Sequence, residues 1–199
     1  MGHTYATRKT LLQRARNQRD EHSWAELVSV YRKYAYSVIR SLNVSEHDAE
    51  DILQQVFLKL WEKLPQMDLD EIVRFRSLLG RITKHCTIDY VRRRSKAAEK
   101  LQQAAQDETI QYLKAIQLPE IDRIAEERWE VFLATQALDN VESQFSGQAV
   151  TVFRMSLNGR GVREIAQELG LEENSVYRLR TRVKNQLVLE IQHLRKELE

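Results

Sequence analysis

The chain has 199 residues, 42% hydrophobic and 30% charged, with a formal net charge of +2, enough apolar material for real cores and against global disorder. Six glycines and two prolines are too few turn formers for a sandwich or barrel of many short strands. The single cysteine, Cys86, excludes an internal disulfide framework and a Cys-rich zinc site, and no apolar run approaches the roughly 20 residues of a membrane span.

The N-terminus, Met1 to Ala6, has no apolar signal-peptide core, so a cytoplasmic location is expected. From Thr10 to Arg40 the periodicity is helical. Leu11, Leu12 and Ala15 make a short stripe. After Asp20–Ser23 a second stripe runs through Trp24, Leu27, Val28, Tyr31, Tyr34, Ala35 and Val38. Ser45 can cap the next helix, Glu46 to Leu64, which Pro65 stops. Leu53, Val56, Phe57, Leu60 and Leu64 share one face of it at about 100° per residue. The opposite face carries Asp51, Gln55, Leu58 and Glu62, flanked by Gln54 and Lys59. A leucine framed by acids and glutamines reads either as an ordinary exposed leucine or as a docking surface for a partner.

Residues 66–73 read as a loop. Arg74 to Arg94 is helical, with Phe75, Leu78, Leu79, Ile82, Ile88 and Val91 inside. Residues 98–124, rich in Gln, Ala and Glu, read as a linker. A second domain is expected from Ala125. Its first helix carries Trp129, Phe132, Leu133 and Leu138. A second is capped by Ser146, with Val150, Phe153, Met155 and Leu157 inside and Gly159 just past its end.

Val162 to Val183 has the logic of a helix-turn-helix. Ala166 allows close helix approach, Gly170 can take the positive φ of the turn, and Val176 packs back onto the first helix. With Val176, Leu179, Val183 and Leu187 inward, Asn174, Tyr177, Arg178, Thr181, Arg182 and Asn185 face out. These residue types can read base edges and grip phosphates. The alternative is an ordinary helical hairpin with a cationic face.

Charge is arranged in blocks. Residues 46–72 hold eight acids and two bases, 74–100 nine bases and two acids, and 101–150 nine acids and three bases; 174–189 hold four bases and no acid. Two basic blocks in a nearly neutral chain point to two surfaces for a polyanion, against the plainer reading of two solvated faces. Asp48, Glu50 and Asp51 could form a metal or acid–base cluster, but acids at a helix start are expected from the macrodipole alone. No cofactor, metal or catalytic residue is expected, and Asp89 is expected to anchor a neighbouring arginine.

The run Asp48–Trp61, then Phe75, Leu79, Arg81, Ile82 and Ile88-Asp89-Tyr90-Val91-Arg92-Arg93-Arg94, together with the helix-turn-helix, resembles bacterial RNA polymerase sigma factors of the extracytoplasmic-function group. The resemblance implies an all-α chain of two helical domains joined by a linker. Residues 8–97 would form a region 2-like domain, 98–124 the linker, and 125–199 a region 4-like domain with the helix-turn-helix. It implies a non-enzymatic factor that directs core polymerase to promoters and helps open the DNA. Asp51, Gln54, Gln55, Leu58 and Glu62 would bind the polymerase core. Arg81, Lys84, His85, Tyr90, Arg92, Arg93 and Arg94, with the loop before their helix, would hold the opened promoter strand. Asn174, Ser175, Tyr177, Arg178, Thr181, Arg182 and Asn185 would read duplex promoter DNA. Core polymerase and promoter DNA are the implied partners, an inhibitory anti-sigma factor is a further one, and no membrane insertion is implied. Leu78 stands where the family usually has tryptophan, which changes packing only; His85 stands where asparagine is common and Asn174-Ser175 where Gly-Thr is frequent, so the promoter sequence does not carry over. The alternative is a stand-alone helix-turn-helix regulator with an N-terminal dimerisation or sensing module.

Overall fold

A computed structural model describes residues 8–72, 74–99, 118–145 and 147–198. The described residues form eight α-helices, a single 3-10 turn and no strand. The helices are α1 (Arg8–Ala15), α2 (Glu21–Ser41), α3 (Glu46–Lys63), α4 (Phe75–Glu99), α5 (Leu118–Glu142), α6 (Gln148–Leu157), α7 (Val162–Leu169) and α8 (Glu173–Leu198). The chain divides into two compact units, 1–130 with 197–199, and 131–196.

In the first unit, polar residues mark the helix starts. Asp20 accepts from the Ser23 amide at 2.9 Å and so caps α2. Ser45 caps α3 by accepting from the Asp48 amide at 3.2 Å. Leu64–Gln66, a 3-10 turn holding Pro65, closes α3. The apolar faces of α2, α3 and α4 meet in one core that contains Leu27, Ile39, Ile52, Leu53, Leu60, Phe75 and Leu79, each fully buried. Trp24 stands edge-on to Trp61 at 4.8 Å and to Phe57 at 6.4 Å along its side.

The domain boundary differs from the sequence reading. The helix expected to begin at Ala125 begins at Leu118, so 118–124 is helical rather than linker; 98–99 close α4, and residues 100–117 lie outside the described ones. The first half of α5 also belongs to the first unit, because Trp129 is fully buried there. Its ring stacks on Tyr31 at 6.2 Å, stands edge-on to Tyr34 at 5.2 Å and lies under the Arg76 guanidinium at 5.5 Å. Arg76 in turn pairs with Glu126 at 2.8 Å. Gly80 permits the approach of α5: a Cβ there would lie 3.3 Å from the Tyr34 hydroxyl and 3.4 Å from the Ala125 Cβ. Apolar periodicity detects that Trp129 is core, but not whose core.

The second unit has two small clusters that share Leu179. Val141, Ala149, Phe153 and Val183 form one; Val152, Ile165, Ala166 and Val176 form the other. Gly170 ends α7 at φ 64, the left-handed conformation the turn needs, and the Leu171 amide returns to the Ala166 carbonyl at 2.9 Å. Gly147, not Ser146, occupies the cap position of α6; Ser146 lies outside the described residues. Leu157, read as internal, is 60% exposed, because α6 has only 10 residues and its last turn runs past the edge of the core.

Candidate polymerase and nucleic-acid surfaces

On α3 the buried positions Asp48, Ala49, Ile52, Leu53, Val56, Phe57 and Leu60 leave a continuous outer face. Leu58 is 59% exposed on it, Gln54 and Glu62 are exposed, and Asp51 and Gln55 are half-buried. The face is therefore open, with an apolar centre and a polar rim. Its Gln55 is partly engaged, since the Gln55 Oε1 accepts from Arg93 at 2.8 Å.

The basic helix α4 sorts the seven residues read from its sequence into different environments. Arg81 and Arg92 are exposed. His85 is exposed, with Nδ1 donating to its own helix at the Arg81 carbonyl, 2.7 Å away. Arg93 is exposed and held by Gln55 and by the Asp89 carbonyl at 3.3 Å. Tyr90 and Arg94 are both held by Asp48. Lys84 is a correction to the candidate set: it is 4% exposed on the inner side of α4, together with Thr83 and Thr87, and cannot serve an outer surface. Arg76, counted in the same basic block, is likewise consumed by Trp129 and Glu126.

Asp89 holds the neighbouring Arg93 through its main-chain carbonyl and not through its carboxylate, which is half exposed and lies 4.0 Å from Lys59. The carboxylate that anchors an arginine is that of Asp48. Asp48 is 8% exposed; burial pushes its carboxyl up, but hydrogen bonds from Tyr90 and Ser45 and the Arg94 charge outweigh that and hold it below the ordinary carboxylate value. The same bond to Asp48, with burial and the acid charges, raises Tyr90 to about 12. Asp48 falls in step with Ile52, Val56 and Leu60, four residues apart, so an acid in register with an apolar stripe was the available signal that it points inward. Among the described residues, no three His, Cys, Asp or Glu side chains are grouped to hold a metal ion.

Where the loop 66–72 meets the start of α4 there is an open recess of about 570 Å³. Met67, Asp68 and Glu71 from the loop face Arg74, just before the helix, and Leu78 and Arg81 on it. Leu78 thus lines a recess and is only half-buried, beyond the packing role read for it.

On α8 the duplex candidates Asn174, Tyr177, Arg178, Thr181, Arg182 and Asn185 are all exposed, and Ser175 is half-buried. Arg180 lies 5.2 Å over the Tyr177 ring and Arg182 5.2 Å over Phe145, while Arg178 donates to the Ser175 hydroxyl at 3.2 Å. No described helix is long and apolar enough to cross a membrane.

Comparison with known proteins bears on the first unit. Residues 27–97 match the sigma-70 region 2 family. The ECF RNA polymerase sigma factor SigW of Bacillus subtilis is 28% identical over 75 residues, 38% of this chain and 39% of that protein. The ECF RNA polymerase sigma factor SigE of Mycolicibacterium smegmatis is 32% identical over 74 residues, 37% of this chain and 28% of that protein. The matched stretch thus spans well under half the length of either relative. A solved structure of CnrH in complex with the cytosolic domain of CnrY aligns at 22% identity over 94% of this chain and 97% of that one, with a TM-score of 0.37. Residues 27–97 thus carry a sigma-70 region 2 domain, and over that stretch the chain is similar to RNA polymerase sigma factors of the extracytoplasmic-function group.

Proposed function

We propose that this chain acts in transcription initiation by carrying core RNA polymerase to promoters and helping to open the DNA there. The outer face of α3 is the docking surface for the polymerase core. The observation that carries this reading is Leu58, 59% exposed at the centre of a face of acids and glutamines, on a helix whose reverse side is buried. An apolar centre inside a polar rim is how protein interfaces concentrate their binding energy. The outer side of α4 and the recess before it take the opened strand. Unpaired bases need a concave, partly apolar seat with cations along the backbone, and Leu78, Arg74 and Arg81 supply those elements at the recess. The exposed row on α8 reads duplex DNA, with its N-terminal turns in the major groove.

The test is association of the purified chain with core polymerase, followed by run-off transcription from a genomic promoter library. Leu58→Arg should abolish association while leaving the fold intact, since the side chain is outside the core. Wild-type chain that ignores the core enzyme, yet binds a palindromic duplex by itself, would establish a stand-alone regulator instead.

A further inference from the structure

We propose that Asp48, on the polymerase-facing helix α3, is a positioning residue for the nucleic-acid surface of α4, acting through Tyr90 and Arg94. The inference rests on the nucleic-acid reading of α4 given above. Asp48 Oδ1 accepts from the Tyr90 hydroxyl at 2.7 Å, and Oδ2 accepts from the Ser45 hydroxyl at 2.7 Å and from Arg94. Both oxygens are occupied, and the residue is 8% exposed.

Capping alone does not account for this arrangement. A cap needs only Ser45 and Asp48, three residues apart on one helix. Tyr90 and Arg94 come from a different helix, 42 and 46 residues downstream. They lie four apart on α4, hence on one face of it. Arg94 remains 54% exposed although one of its nitrogens is pinned. A pinned guanidinium has already lost the rotamer freedom that a free arginine surrenders on binding a phosphate, and its unpinned edge still faces solvent. Beside it, Gln55 holds Arg93 in the same manner, so α3 orders both of these arginines.

The proposal opposes the simplest charge argument. Removing a carboxylate next to a polyanion-binding surface should tighten binding if only net charge mattered. Positioning requires the reverse: Asp48→Asn should weaken binding, because Tyr90 and Arg94 lose their common anchor.

The full-length chain is titrated against a fluorescein-labelled, mixed-sequence, 20-nucleotide single strand by anisotropy, from 25 to 200 mM salt. Asp48→Asn is expected to weaken binding three- to ten-fold. Its salt slope should be shallower by about 0.7, one phosphate contact on a single strand. Asp48→Glu should restore part of both. Tyr90→Phe, which removes only a hydroxyl, should weaken binding about two-fold and serves if Asp48→Asn does not fold. For a folded Asp48→Asn, tighter or unchanged binding overturns the proposal; if it is unfolded, unchanged binding by Tyr90→Phe does so. A purely structural role would lower the melting temperature without moving the salt slope, and that result also overturns it. Arg81→Gln with Arg92→Gln separates the two readings. If this pair binds like wild type, or if wild type shows no binding at 25 mM salt, the nucleic-acid reading of α4 fails and the proposal with it. If the pair weakens binding and Asp48→Asn does not, only the Asp48 proposal fails.

Discussion

Replacing Trp129 with alanine tests the assignment of the first half of α5 to the N-terminal unit. The ring is fully buried, meets Tyr31 and Tyr34 at 6.2 and 5.2 Å, and has Arg76 at 5.5 Å above it. Truncating a core tryptophan costs about 3–5 kcal/mol. Two ring pairs and a cation over the face place this site in the upper half of that range, near ~4 kcal/mol. That is a large part of the roughly 5–15 kcal/mol that holds a domain together. With a urea m-value of about 2 kcal/mol per molar, the midpoint should fall by about 2 M. All three tryptophans, Trp24, Trp61 and Trp129, lie in the first unit, so the fluorescence of Trp24 and Trp61 in the variant follows that unit alone. Trp129→Phe should recover more than half of the loss. A midpoint shift below about 0.5 M would show that the ring is peripheral, and that α5 before Val131 is not part of the first core.

The duplex surface is tested by Arg178→Gln with Arg182→Gln: the slope of log affinity against log salt should become shallower by about 1.8, some 0.9 per phosphate contact, and an unchanged slope removes α8 as the reader. Tyr90 titrates near pH 10 unfolded and near 12 folded. A raised folded pKa means that its stabilisation is complete below pH 10 and disappears as pH climbs through 12. Stability measured by urea titration at pH 9, 10.5 and 12 should therefore fall more steeply for wild type than for Tyr90→Phe; parallel profiles would contradict the Asp48 bond. Gly170 holds φ 64, so Gly170→Val should cost about 1–3 kcal/mol in a thermal melt, with Gly170→Asn milder; a neutral valine would mean the turn is not left-handed.

Helix existence and the local core of the second unit were legible because each depends on neighbours in sequence. Ser45 caps the helix it precedes, and Gly170 ends the helix it follows. What escaped the sequence was pairing across distance. Nothing in the order of residues says that Trp129 seats between α2 and α4, that Glu126 neutralises Arg76, or that Asp48 holds Arg94. Those contacts link residues 46 to 98 positions apart, and periodicity carries no such information. Charge counting failed for the same reason. The basic block at 74–100 counts nine cations, of which the Lys96 side chain and Lys100 lie outside what the structure describes. Of the other seven, Arg76 and Lys84 are buried and Arg93 and Arg94 are tied to α3, which leaves Arg74, Arg81 and Arg92 as exposed cations without a side-chain acceptor among the described residues.

The two proposed DNA surfaces consequently differ in kind. On α4 two of the cations, Arg93 and Arg94, are held by acceptors from another helix, Gln55 and Asp48. On α8 they are held by weaker contacts, with Arg180 and Arg182 over aromatic rings and Arg178 on a serine hydroxyl. Exposed cation–π contacts are worth about 0.5–1 kcal/mol and leave every guanidinium hydrogen free to donate. A duplex presents its phosphates at fixed spacing, so loosely held arginines on a rigid helix can adjust to it at small cost. A melted strand presents no fixed spacing, and the order must then come from the protein. Pinning Tyr90 and Arg94 on the α4 face supplies that order before the strand arrives, with the Arg94 charge already paired to the Asp48 carboxylate. The α4 surface should also show the shallower salt dependence, about 0.7 per phosphate contact on a single strand, and the α8 surface the steeper one, about 0.9 per contact on a duplex.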